Sequence, residues 1–254
     1  MPVSADFWEG IGRQLRCPTG RAGWLIGHLM SLINKQPNQL AIEALAVSPS
    51  DTILELGFGS GRSIKALTAL ASRGEVLGID QSPEMLTLAS RANQRAIGAG
   101  RVALRLGRFD ALPWPSETVD KILAVNVAYF FGTTGDEFRE VRRVLRPGGM
   151  IAIYATDRST MAKWKFAGLE THSHIDEATL RAMAVCGGFD PVEVSVKTVS
   201  LPFGINGILA ILCKRKAVEP HYHRMTSAWI NVATSLATPL SHEDRSGQYQ
   251  LLLK

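Results

Sequence analysis

Three glycines, Gly57, Gly59 and Gly61, stand at alternate positions in DTILELGFGSGRSI (Asp51–Ile64), between a short apolar run and a helical pattern. Glycine is needed where the backbone turns sharply and where a ligand must approach with no Cβ in the way. A helix that opens directly after such a turn offers unpaired N–H groups to a polar or anionic group. The segment predicts a strand over Thr52–Leu56, a tight turn, and a helix from about Ser60 to Ser72 with Ile64, Leu67 and Ala71 on one face.

The same alternation of strand and helix continues, the signature of a parallel α/β sheet. Glu75–Ile79 reads as a strand that ends at Asp80. Ser82-Pro83-Glu84 then opens a helix, with serine as cap, proline in the first turn and an acid near the positive end. Met85, Leu88, Ala89, Ala92 and Ala96 form its buried stripe. Strands follow at Arg101–Leu106 and Val119–Val125, and a helix at Asp136–Leu145. Pro147-Gly148-Gly149 is read as stopping that helix and turning into a strand at Met150–Tyr154. A helix near Asp176–Cys186 and strands near Pro191–Lys197 and Ile208–Lys214 bring the strand count to seven. Two helices, Ala22–Ile33 and Asn38–Val47, are expected ahead of the sheet, split by Pro37. The division is 1–50 as an N-terminal helical extension or lid, 51–214 as the α/β domain, and 215–254 as a polar tail, either appendage or substrate cover.

The glycine spacing narrows the ligand. A dinucleotide fingerprint, G-x-G-x-x-G, would put its third glycine at position 62, which is Arg62. Here Glu55 stands two residues ahead of Gly57, where a carboxylate would repel a pyrophosphate but suit an ammonium. Asp80, at the end of the second strand, is placed to accept from ribose hydroxyls. A nucleoside carrying an amino acid, S-adenosylmethionine, satisfies all three.

The chain resembles class I S-adenosylmethionine-dependent methyltransferases, in particular the small-molecule and lipid-type branch known as methyltransferase type 11. ELGFGSG and LGID resemble the family's first two motifs, and GRFDALPWP its adenine-contacting segment. ILAVNVAYFF and LRPGGMIAIY match the fourth strand and the turn into the fifth. The resemblance implies a Rossmann-like doubly wound sheet of order 3-2-1-4-5-7-6 with the last strand antiparallel. It implies that Glu55, Gly57 and Gly59 border the methionine moiety, with Phe58 and Gly61 in the same turn. Asp80 would hold the ribose, Gln81 and Met85 flank the adenine, Asp110 and Ala111 meet its amino edge, and Asn126 sit near the sulfonium. The product would be S-adenosylhomocysteine.

The acceptor is less constrained. AVNVAY on the fourth strand is not the [DN]PP[FY] of enzymes that methylate planar amino groups, and no Pro-Cys supplies a thiolate there. ALPWPSETVDKI resembles a stretch common in enzymes acting on small molecules, quinones and lipids, so a small or lipid-like acceptor is expected. Candidate catalytic residues are Tyr129 just past the fourth strand, His28 on a helical face with Leu25, Leu29 and Leu32, and His172 in the loop after the fifth strand. The net charge of +5 is modest. Arg91, Arg95, Arg101, Arg105 and Arg108 nevertheless form an acid-free stretch that leaves open a recruited RNA or protein substrate. Nucleic acid is not the expected partner. Trp164 and Phe166 beside Lys163 and Lys165 would touch a membrane surface or line the pocket. A binding module without turnover is the remaining alternative. MPVSADFWEG lacks a basic region followed by an apolar core, and Cys17, Cys186 and Cys213 form no CxxC, so a reduced cytoplasmic compartment is expected. His221 and His223 have no acid or cysteine neighbours in sequence to complete a ligand set, so no metal is expected.

Overall fold

Alternation decides which way each side chain faces in the central strands, and both faces are apolar. In β1 (Thr52–Leu56), Ile53 points to one side of the sheet and Leu54 and Leu56 to the other, all three fully buried. Such a strand needs helices on both faces, which is the geometry of a doubly wound sheet. The computed structural model describes residues 5–16, 18, 20, 34–168 and 172–216.

The sheet has seven strands in the order β3-β2-β1-β4-β5-β7-β6. β1, β2 (Glu75–Asp80), β3 (Val102–Leu106), β4 (Val119–Val125) and β5 (Leu145–Thr156) pair in parallel. β7 (Ile205–Cys213) runs antiparallel between β5 and β6 (Val194–Leu201). On one face, α1 (Ala5–Arg16) aside, α2 (Lys35–Leu45), α3 (Arg62–Leu70) and α4 (Pro83–Ala92) supply Ala41, Leu45, Ile64, Leu67, Met85 and Ala89. α5 (Gln94–Gly98) is a short continuation after α4. On the other face, α6 (Asp136–Val144) and α8 (Glu177–Cys186) supply Phe138, Val141, Leu180 and Met183. Phe138 packs edge-on to Phe131 at 5.5 Å and Phe189 at 6.5 Å between ring centres. A single turn, α7 (Arg158–Met161), follows β5.

The structure adds a helix that the sequence did not suggest, α1, and starts β7 at Ile205 rather than Ile208. Four further differences have a local reason. The long helix through Ala96 stops at Ala92, because the buried Asn93 side chain donates to the carbonyls of Ala89 and Gly61. β5 begins at Leu145 rather than Met150, with a register shift opposite Val119 and Lys121. Gly149 allows this: a Cβ there would lie 2.9 Å from the Asp120 carbonyl. β6 begins at Val194, because Asp190 caps a 3₁₀ turn over Pro191–Glu193. α2 begins at Lys35 rather than Asn38, so Pro37 lies inside its first turn, where its missing N–H costs nothing, instead of standing ahead of the helix. The expected helix 22–33 and most of the 215–254 tail lie outside the described residues.

Candidate cofactor and acceptor site

β1 and β4 are neighbours although β2 and β3 intervene in sequence, so the chain leaves their carboxyl ends in opposite directions and opens a crevice there. The glycine turn fills one side of it. Gly57 has φ +69°, its N–H bonds to the Ile79 carbonyl at 2.8 Å, and a Cβ on it would fall 2.2 Å from Val127 Cγ1. Gly59 has φ +51° and open space where a Cβ would stand. Its N–H donates to Asp80 Oδ2 at 2.9 Å, while Asp80 Oδ1 accepts from the Ser82 N–H at 2.9 Å. Burial raises the Asp80 pKa.

Glu55 lies behind this turn, 2% exposed. Ser63 donates its hydroxyl to Glu55 Oε1, and Oε2 is buried with no partner. Burial pushes its pKa up from 4.5 to about 8, with the nearby Asp80 adding to the rise. An unpartnered buried carboxylate oxygen on a pocket wall fits a cationic ligand group.

On the opposite wall, Asn126 follows β4 directly, with φ +55°. Its Oδ1 accepts from the Thr156 N–H at 3.2 Å and from the Tyr129 hydroxyl. Its Nδ2 donates to Asn34 Oδ1 at 2.7 Å, a contact that spans 92 positions of sequence. The chain before α2 thus reaches the cavity, and Leu15, Pro18, Asn34 and Asn38 line it. Ser82 Oγ donates to the Pro18 carbonyl at 2.6 Å, and the Gly20 N–H to Glu84 Oε1 at 2.8 Å, which holds this segment against the start of α4.

Of the residues expected at the site, Glu55, Gly57, Phe58, Gly59, Asp80, Gln81, Met85 and Asn126 line one cavity. Gly61 sits behind the turn: at φ +79°, a Cβ there would lie 2.6 Å from Asn93 Nδ2 and 2.8 Å from Ala89 Cβ. Asp110 is instead paired with Arg108, and neither it nor Ala111 reaches the cavity wall, where the buried Phe109 stands. Tyr129 is buried behind Asn126. Its hydroxyl donates to Asn126 and accepts from the Thr156 N–H, and burial raises its pKa. His172 is 4% exposed, with its ring 5.2 Å from Phe130 and 5.9 Å from Tyr129, outside the cavity. His28, His221 and His223 lie outside the described residues. Trp164 and Phe166 stack at 5.4 Å and pack against the core.

The sequence reading did not include Asn34, Asn38, Arg62, Phe109 or Phe130 in the wall. Phe109 had a signal, being next to Asp110 in GRFDALPWP. The asparagines had none. Among the described residues no three His, Cys, Asp or Glu side chains gather as a metal site, and no helix is long and apolar enough to cross a membrane.

A glycine turn, a buried acid and a second-strand acid thus stand together at the switch point of an α/β sheet. Residues 54–153 match the family model described as a methyltransferase domain. YdaC of Bacillus subtilis, an uncharacterised methyltransferase, is 28% identical over 178 residues, covering 69% of this chain and 91% of YdaC. The arsenite methyltransferase of Halobacterium salinarum is 32% identical over 167 residues, 62% of this chain, but the match spans only 42% of that longer protein. In fold, the chain is similar to one from a complex of the Haloferax volcanii Trm112 methyltransferase activator with a methyltransferase. That match has TM-score 0.67 and 18% identity, over 78% of this chain and 96% of that one. The chain is a class I S-adenosylmethionine-dependent methyltransferase.

Proposed function

We propose that the chain methylates a small-molecule or lipid-like acceptor, in the cytoplasm, beneath the N-terminal segment that walls the cavity. When bound, S-adenosylmethionine supplies a methyl group on a cationic sulfur that is already a good leaving group. The protein's task is therefore chiefly alignment. Glu55 holds the ammonium, the glycine turn, open where a Cβ on Gly59 would stand, carries the methionine moiety, and Asp80 accepts from the ribose. Gln81, Met85 and Phe109 enclose the adenine region, and Asn126 faces the transfer zone. Tyr129 is a positioning residue whose hydroxyl holds the Asn126 amide, and His172 backs Tyr129 and Phe130.

One observation carries the acceptor reading. Leu15, Pro18, Asn34 and Asn38 share the cavity with Glu55 and Asp80, so an acceptor fits under a cover rather than across an open face. The basic stretch that would favour RNA is partly consumed. Arg101 donates to the carbonyls of Thr68, Ala71 and Gly74, Arg108 pairs with Asp110, and Arg105 lies 5.7 Å over the Trp114 ring.

Calorimetric titration with S-adenosylhomocysteine tests the cofactor assignment, with micromolar binding, about −8 kcal/mol, expected. Asp80→Ala weakens that binding, and unchanged affinity would sink the ribose contact. A steep fall of acceptor methylation with rising salt would favour RNA instead, because neutralised phosphates release counterions.

A further inference from the structure

The orientations of three asparagines at the cavity are fixed by their hydrogen-bond partners. The Thr156 backbone N–H can only donate, so the Asn126 atom 3.2 Å from it is Oδ1. Asn126 therefore presents Nδ2 to Asn34, and Asn34 must answer with Oδ1 at 2.7 Å. That leaves the Asn34 amide nitrogen, with two N–H groups, on the other branch of its side chain. The Asn38 N–H and Nδ2 both donate to the Asn34 carbonyl, at 2.9 and 2.8 Å, which pins the backbone that carries this amide. All three residues line the cavity. Among the described residues, its only carboxylates are Glu55 and Asp80, both on the cofactor side.

From this geometry we infer that the acceptor is an ionised oxygen compound, a carboxylate or a comparably acidic hydroxyl, received by the amide N–H groups of Asn34 and Asn126. The inference rests on the methyl-transfer reading above and names its substrate class. An amine acceptor would arrive as a cation and find amide donors but no carboxylate of its own. An oxygen that is already ionised also needs no base. The acceptor oxygen forms its new bond to carbon with its own electron pair, the departing sulfur keeps the pair it shared, and no proton has to leave. The wall is consistent with that: the Tyr129 hydroxyl is bonded to Asn126 and Thr156, and His172 does not line the cavity.

The test uses a matched pair of probes, hexanoate and hexylamine, titrated into the full chain saturated with S-adenosylhomocysteine. Hexanoate is expected to bind at least about tenfold more tightly than hexylamine. Asn34→Asp is the informative variant, because the carboxylate it introduces still accepts from Asn126 Nδ2 but replaces two donors with negative charge. It should weaken hexanoate at least about tenfold and admit hexylamine, a reversal of preference that loss of a merely structural contact would not produce. Equal binding of the two probes, binding of neither, or an Asn34→Asp variant that binds hexanoate as the unaltered chain does would overturn the inference. If S-adenosylhomocysteine itself fails to bind, the cofactor reading beneath it falls first.

Discussion

Glu55 is the residue whose environment is most at odds with its chemistry. In the folded chain its pKa is about 8 against an ordinary 4.5, so between those values the native state keeps a proton that the unfolded chain has released. Stability of the cofactor-free protein therefore falls as pH rises through that window, and below it the two states do not differ. Glu55→Gln should flatten the slope and leave the cofactor-free chain more stable than the parent at about pH 9, read from thermal melts. The same variant should bind S-adenosylhomocysteine poorly. In the parent, a bound ammonium favours the ionised carboxylate, so binding should release a proton and strengthen as pH approaches 8. Calorimetry in buffers of different ionisation enthalpy counts that proton. A second residue acts from behind the glycine turn: Asn93, 5% exposed, donates to the Gly61 carbonyl at 3.0 Å. Asn93→Ala should cost about 1–3 kcal/mol in urea unfolding, since it strips a buried carbonyl of its best donor. The turn was legible because glycine at alternating positions after an apolar run has few other uses. Asn34 was not, because nothing local ties it to Asn126, and only the closed sheet brings them together.

At the scale of elements, periodicity located the strands well where both faces are covered. β1 and β4 have the limits that their apolar runs suggest. It failed where a side chain or a close backbone approach overrides the pattern, as at Asn93, Gly149 and Asp190. Arg101 shows another limit of reading charge along a chain. In sequence it belongs to a basic stretch, yet its guanidinium closes the end of α3 by donating to the carbonyls of Thr68, Ala71 and Gly74. Those carbonyls lie at or just beyond the negative end of the helix, where a cation is favoured. Arg101→Ala should destabilise by about 2 kcal/mol. Arg101→Lys should recover only part of it, because an ammonium cannot fork across several acceptors. Chemical denaturation of the three proteins, with equal m-values as the check on two-state behaviour, decides this.

For the molecule as a whole, Met1–Lys216 forms one compact unit by itself. Among the described residues, every one that lines the cavity falls between Leu15 and Phe130. A chain ending at Lys216 should therefore fold and bind S-adenosylhomocysteine within about twofold of the full chain. A loss of ten times or more would show that 217–254 takes part in the site. Turnover by the same truncation reports separately on whether the tail covers the acceptor.

The strand order has a consequence for synthesis. β7 comes last in sequence yet lies inside the sheet, between β5 and β6. On the ribosome, the described strands and loops that line the cavity have been made by Phe130, long before the sheet can be finished. Until residue 213 emerges, β5 carries a bare flank of peptide groups, and β6 has nothing to lie against. A nascent chain stalled between residues 156 and 205 would hold a nearly assembled pocket beside an adhesive border, the species most in need of a chaperone.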